Sequence, residues 1–209
     1  MEQSVEKYDV KKVHRDLYSP RRGDFAVVEV PPMRYLAIDG HGDPNTSEEY
    51  ADAVGALYAV GYTLKFADKK ATGRDLAVGP LEGLWRAADP QAFVRRDKTS
   101  WEWTMLVPLP EWIGSEQVEQ TAAAVREKKN LPAAAAVRVL ALAEGTSLQI
   151  LHVGSYDDEG PVLARLHDEV MPDGGWTFGG DHHEIYLNDP RRTEPSRLRT
   201  ILRQPVRPI

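Results

Sequence analysis

The amino-acid sequence predicts an α+β fold built from two similar halves. Three observations carry that prediction: short β-rich runs alternate with amphipathic helical stretches, the order strand, strand, helix, strand recurs in the second half, and the composition is that of a packed chain. Hydrophobic residues make up 42% of the 209 and charged residues 28%, which supplies a core and is too apolar for a disordered polypeptide. This length suits one large domain or two small, tightly packed ones.

Residues 1–24 are polar, with Lys11, Lys12, Arg15, Arg21 and Arg22, and form an N-terminal arm, either ordered or a loose lead-in, too short for a helix-turn-helix domain. The domain proper is expected over 25–209, its first half over 25–130 and its second over 131–209. FAVVEVPP and RYLAIDG are two β-rich runs separated by Pro31 and Pro32, which suits adjacent strands. In DPNTSEEYADAVGALYAVGYTLKF, Thr46 and Glu49 have capping-box spacing, so a helix begins near Ser47, and Val54, Leu57, Tyr58, Gly61 and Leu64 share one face. LAVGPLEGLWR and SWEWTMLVPLP form a second strand pair, interrupted by the polar AADPQAFVRRDKT. SEQVEQTAAAVREKK predicts an amphipathic helix capped by Ser115, with Lys128 and Lys129 where cations suit its dipole and with Asn130 and Pro132 ending it.

The order then repeats. AVRVLAL and SLQILHVG meet at Glu144-Gly145, and the helix PVLARLHDEV follows, opened by Asp157 and Asp158 with Pro161 early in it. After the Gly-rich loop PDGGWTFGGD, HHEIYL takes the place that WTMLV holds in the first half. A final helix around PSRLRTIL is expected before Pro205, with Leu198, Ile201 and Leu202 on its apolar face and arginines in solvent. Two such halves related by a pseudo-two-fold would enclose a cleft at their junction, where ligand pockets are favoured; the alternative is one continuous mixed sheet without a central cleft.

Several function classes fall away. The formal charge of −6 argues against whole-surface binding of nucleic acid. The chain has no cysteine, which removes disulfides, thiolate metal sites and a cysteine nucleophile. No apolar run is long enough to span a bilayer and the start is charged, so the expectation is a cytoplasmic protein that contacts no membrane. GHGDPN lacks either phosphate-binding glycine pattern. Asp181, His182 and His183 are sequence neighbours, but adjacent strand residues point to opposite faces and do not converge on one metal, so no metal site is expected.

The residues that remain are aromatic. Strand alternation places Trp101, Trp103 and Met105 on one face as a flat, polarizable wall, and Tyr58, Tyr62, Trp85 and Tyr156 lie at or near the ends of elements that converge on the junction. Eight Tyr and five Trp against four Phe is a bias toward rings with a polar handle. His182, Glu184 and Tyr186 share one face of their strand, which by the repeat corresponds to the Trp103 face. A carboxylate and a phenol among indoles suit general-base chemistry, because burial raises a carboxyl pKa toward neutrality.

As a set in this order, RDLYSP, VEVPPMRYLAIDGHGDPN, ALYAVGYTLKF, PLEGLW, WEWTM, LQILHVGSYDDE, HHEIYLNDPRRT and LRTILRQPV resemble the stand-alone GyrI-like small-molecule-binding proteins, from Asp16 to Pro205. The resemblance implies duplicated βαββ (SHS2-like) halves around a central ligand cleft, with Glu184 at the position where related drug-sensing modules carry a buried Glu. It is greatest to a subgroup that hydrolyses cyclopropane-bearing DNA-alkylating compounds. The expected function is therefore binding of a flat aromatic ligand and water addition to its strained ring, with Glu184 activating the water, Tyr186 donating to a carbonyl oxygen and no cofactor. The alternatives are a binding protein that sequesters or senses drugs without turnover, and an inhibitor that contacts DNA gyrase. The oligomeric state is left open.

Overall fold

The computed structural model describes residues 7–20, 22–88 and 97–209; the first six residues of the arm, Arg21, and most of the polar stretch between the second pair of strands lie outside the described residues. The elements are α1 (Val10–Val13), α2 (Arg15–Tyr18), β1 (Ala26–Val30), β2 (Met33–His41), α3 (Glu48–Thr72), β3 (Leu81–Ala87), β4 (Trp101–Pro108), α4 (Ser115–Lys129), β5 (Arg138–Leu142), β6 (Gly145–Val153), α5 (Gly160–Arg165), α6 (Met171–Asp173), β7 (Trp176–Phe178), β8 (His182–Tyr186) and β9 (Arg199–Pro208). A π-helical turn, Leu166–Val170, joins α5 to α6.

The strands form one antiparallel sheet in the order β1-β6-β9-β8-β3-β4-β2-β5, with β7 attached to β9. Exchanging β1 with β5, β2 with β6, β3 with β8 and β4 with β9 turns this order into its own reverse. β8 therefore stands in the place of β3, and β9 in the place of β4. This corrects the expected match of HHEIYL to WTMLV: β8 pairs with β3, Trp85 opposite His182 and Gly83 opposite Glu184.

The largest correction is at the C-terminus, where the expected surface helix is a short 3-10 turn, Pro195–Arg197, followed by strand β9. The run Leu198, Ile201, Leu202 also fits a strand, because β9 lies between β6 and β8 and both of its faces are covered. Arg203 is fully buried there, whereas Arg197, Arg199 and Arg207 are exposed. Helix ends differ in smaller ways. Ser47 rather than Thr46 caps α3, its Oγ accepting from the Tyr50 amide at 3.2 Å. Gly114 precedes α4, so Ser115 is its first residue rather than its cap. Asn130 ends α4 in the left-handed region at φ 50°.

The sheet separates two cores. On one face α3 packs Ala53, Ala56, Leu57, Val60 and Leu64 against Leu36, Ile38, Trp85, Trp103, Met105 and Val107. On the other face α1 and α2 bring Val10, Leu17 and Tyr18 onto Tyr35, Leu84, Leu106, Ile185 and Ile201, so this part of the arm is an ordered piece of the core. Within the second core lies a buried ionic network. His183 sits between Glu144 (Nδ1 to Oε1, 2.9 Å) and Glu82 (Nε2 to Oε2, 2.9 Å), and Arg203 reaches Glu144 at 3.1 Å. Tyr18 donates to Glu82 at 2.7 Å, and Arg203 donates to the Leu17 carbonyl at 3.2 Å. Two carboxylates and two cations are thereby removed from water as a balanced set. Burial disfavours charge on both His183 and Glu144, but the pairing prevails: the imidazole is pushed up to about 9 and the Glu144 carboxyl down to about 2.

Candidate functional site

The α3 face of the sheet carries three cross-strand rows that meet at β3 and β8. One row runs Ile150, Leu202, Glu184, Gly83, Met105, Ile38, and the next places His182, Trp85, Trp103 and Gly40 side by side. A third sets Thr200 beside Tyr186 and Tyr186 beside Leu81. Alternation thus sends His182, Glu184 and Tyr186 to this face and His183 to the other, as the sequence predicts.

Two glycines make the arrangement possible. A Cβ on Gly40 would lie 2.1 Å from Trp103 Cη2, so the bare backbone of Gly40 is the seat of that indole. A Cβ on Gly83 would lie 2.9 Å from Trp85 Nε1 and 3.2 Å from Met105 Cε. Without it the Trp85 ring leans across the row, and its N–H donates to the Tyr186 hydroxyl at 2.9 Å. Tyr186 in turn donates to Glu184 Oε2 at 2.8 Å. The other oxygen, Oε1, lies 3.6 Å from His182 Nε2, and both side chains are about seven-eighths buried, at 13% and 14% exposure. Both His182 ring nitrogens are shielded from solvent and without a hydrogen-bond partner. A hidden imidazole and a free carboxylate oxygen facing each other define a polar spot inside an aromatic shell.

The shell consists of most of the predicted residues and one that the sequence reading missed. Tyr50, on the first turn of α3, stacks on Trp85 with ring centroids 6.5 Å apart at 27° and meets Trp103 edge-on at 5.3 Å. Trp101 meets Trp85 at 5.7 Å, and Tyr156 meets Tyr186 at 5.6 Å, both edge to face. Trp103 and Met105 are fully buried beneath this layer. Tyr58 is half-buried at the Leu81 end of β3, and Tyr62 lies outside the cluster, 48% exposed. The signal for Tyr50 was its spacing, eight residues and so about two turns before Tyr58.

Burial and the adjacent Glu184 carboxylate hold the Tyr186 phenol well above its ordinary value. Burial, with Glu184 nearby, also raises Tyr50, and burial with Glu159 and Glu184 lifts Tyr156 to about 12. All three phenols are therefore donors throughout the neutral range.

A separate open hollow of about 540 Å³ lies against β6 and α5, lined by Arg22, Ile150, His152, Val153, Pro161, Val162 and Arg165 among others. It contains none of the predicted site residues. The aromatic cluster, by contrast, is closely packed, with Trp85 6% exposed and Trp103 sealed.

The shell is built on a domain of the α+β class. The chain belongs to the GyrI-like small molecule binding domain family, whose model matches residues 24–207. An uncharacterized conserved protein from Listeria innocua is 35% identical, with a TM-score of 0.88 over 96% of this chain and all of that one. A second crystal structure, of a hydrolase from Listeria innocua, is 34% identical with a TM-score of 0.83, again over 96% of this chain and all of that one. The EcmrR C-terminal domain, 11% identical over 89% of this chain and 98% of that one, shares the fold at a TM-score of 0.57. Comparison with curated proteins found no match. Among the described residues, no helix is long and apolar enough to cross a membrane.

Proposed function

We propose that this protein binds flat, apolar small molecules in a cleft at the Trp/Tyr cluster, between its two halves, and adds water to the strained ring of cyclopropane-bearing alkylating agents. The observation that carries the proposal is the carboxylate of Glu184, one oxygen held by the Tyr186–Trp85 chain and the other turned toward His182 within an aromatic shell. A 34% identical neighbour named a hydrolase supports the catalytic reading.

Glu184 Oε1 accepts a proton from water as the water oxygen bonds to a ring carbon. The ring C–C bond breaks, and its electron pair passes into a conjugated carbonyl. Tyr186, made a stronger donor by the Trp85 N–H on its oxygen, turns its hydroxyl from Oε2 to that carbonyl oxygen and protonates it. Rotation of the Glu184 carboxyl then brings its protonated oxygen into the position Oε2 holds against Tyr186, 2.8 Å away at rest, and returns the proton to the phenolate, so the sum is addition of one water. Trp85, Trp101 and Tyr50 stack on the flat ligand and exclude bulk water, which strengthens both hydrogen bonds.

Incubation with such a compound followed by mass spectrometry tests this. A water adduct forming over many turnovers, and lost in Glu184→Gln, is expected; no adduct, or an undiminished rate in the variant, refutes the mechanism. The family's description as a small molecule binding domain supports a second reading, stoichiometric capture of drugs without turnover. Quenching of Trp fluorescence at one equivalent, with the ligand recovered unchanged, would establish it.

A further inference from the structure

The hollow against β6 and α5 takes no part in the chemistry at Glu184, and its lining is of another kind. β6 runs on to Val153, but its register with β1 ends where Ala26 faces Gln149, so residues 150–153 are paired only on the β9 side. Ile150 and His152 point to one face of the sheet, Leu151 and Val153 to the other, and all four line the hollow, which therefore wraps the open edge of the strand. Gly23 borders the same space and turns the incoming chain at φ 109°, a conformation that side chains rarely adopt. With α5 passing over it, the edge leaves about 540 Å³, within the range of about 300–1,000 Å³ usual for small-molecule sites.

The charge of this lining is its informative feature. The chain carries a formal −6, yet none of the described residues lining the hollow is acidic, while Arg22, Arg165 and His152 are basic. Arg22 has no carboxylate within ion-pair distance among the described residues. Arg165 lies over the Phe25 ring, 5.6 Å from its centroid, and pairs with Asp24 at 3.6 Å; Asp24 is 92% exposed, so water screens that pair. Stacking holds the guanidinium by its face and leaves its N–H edge for an acid group. His152 is buried, and its Nε2 donates to the Ser155 carbonyl at 3.1 Å, which leaves Nδ1 for a ligand. The ring takes this place because residue 154 is glycine: a Cβ there would lie 3.1 Å from Nε2. The remaining wall, with Ile150, Val153, Pro161 and Val162, is apolar.

We propose that the hollow is a second ligand site, separate from the aromatic cluster, and that it takes an organic anion: an apolar ring or chain bearing one carboxylate or sulfonate. The acid group meets Arg22 and Arg165 in charge-assisted hydrogen bonds, and the apolar body covers Ile150, Val153 and Val162. The cluster suits such a ligand poorly, because its polar centre is the Glu184 carboxylate, which repels a second anion.

The test uses two fluorescent dyes that differ only in the acid group, anilinonaphthalene sulfonate and the parent phenylnaphthylamine. Each is titrated against the whole chain and against Arg22→Gln, Arg165→Gln, Val162→Trp and Glu184→Gln, with circular dichroism to check the fold. The sulfonate is expected to bind the native protein at one equivalent and at least about fivefold tighter than the parent amine. Either arginine variant should weaken the sulfonate severalfold and leave the amine little changed. Val162→Trp fills the hollow with all charges kept, so it too should weaken the sulfonate, whereas Glu184→Gln should not alter its affinity. Equal affinities for the two dyes, or no loss in the arginine variants, would overturn the anion site. Sulfonate binding that survives Val162→Trp and tightens in Glu184→Gln would place the anion in the aromatic cluster and also overturn it. Absence of binding to the native protein overturns it directly. None of these outcomes bears on water addition at Glu184, which its own product assay decides.

Discussion

Replacing Tyr186 by Phe removes one oxygen atom and no carbon, so it isolates the hydrogen-bond chain from the packing of the ring. Two bonds disappear: the 2.8 Å donation to Glu184 Oε2 and the 2.9 Å acceptance from Trp85 Nε1. A hydrogen bond to a charged group contributes about 1.5–3 kcal/mol, and a buried N–H left without a partner costs about 1–3 kcal/mol. Glu184 keeps 14% exposure, so water replaces part of the first loss, while Trp85 at 6% leaves little room for water at its N–H. The net destabilisation is expected near 2 kcal/mol. In urea, with a slope of about 2–3 kcal/mol per molar for a chain of this size, the midpoint should fall by somewhat under about 1 M with the slope unchanged. A cycle with Glu184→Gln should return a coupling of about 1 kcal/mol. A loss below about 0.5 kcal/mol together with no coupling would mean that the hydroxyl is not held between indole and carboxylate, and the proposed orientation of Glu184 would fail with it.

The buried network makes stability depend on pH in a defined direction. His183 has a folded value of about 9 against 6.5, so its contribution is complete below pH 6.5 and is lost as pH rises through 9; Glu144, at about 2 against 4.5, contributes above pH 4.5 and loses it as pH falls toward 2. Each effect is on the order of 3 kcal/mol at full extent, and an NMR titration of the His183 ring with a midpoint near neutrality would contradict it. Arg203→Met leaves the network with an uncompensated negative charge and should cost about 3–5 kcal/mol by chemical unfolding; a neutral effect would refute the buried pairing of Arg203 with Glu144. Gly83→Ala places a methyl against Trp85 and Met105. The flexible thioether yields but the indole does not, so a loss of about 1–3 kcal/mol and an altered Trp fluorescence spectrum are expected, and an unchanged spectrum would place Trp85 elsewhere.

Local chemistry fixed much of this protein before any tertiary contact was considered. Thr46 with Glu49, Asn130, and the alternation in Trp101–Met105 and His182–Tyr186 are signals within a few residues; they located the start of α3 to within one residue, the end of α4, and β4 and β8 with the correct faces. The separation of His182 from His183 followed from alternation alone. What lay beyond reach was whatever depends on which strand lies next to which. The run Leu198, Ile201, Leu202 is compatible with either a helical face or a doubly covered strand, and only its position between β6 and β8 decides for the strand. The pairing of His183 with Glu82 and Glu144, the indole of Trp103 over Gly40, and Tyr50 above Trp85 join residues far apart in the chain. Sequence periods report which way a side chain points; the assembled sheet determines what it meets, because strand order is set by the packing of the whole chain.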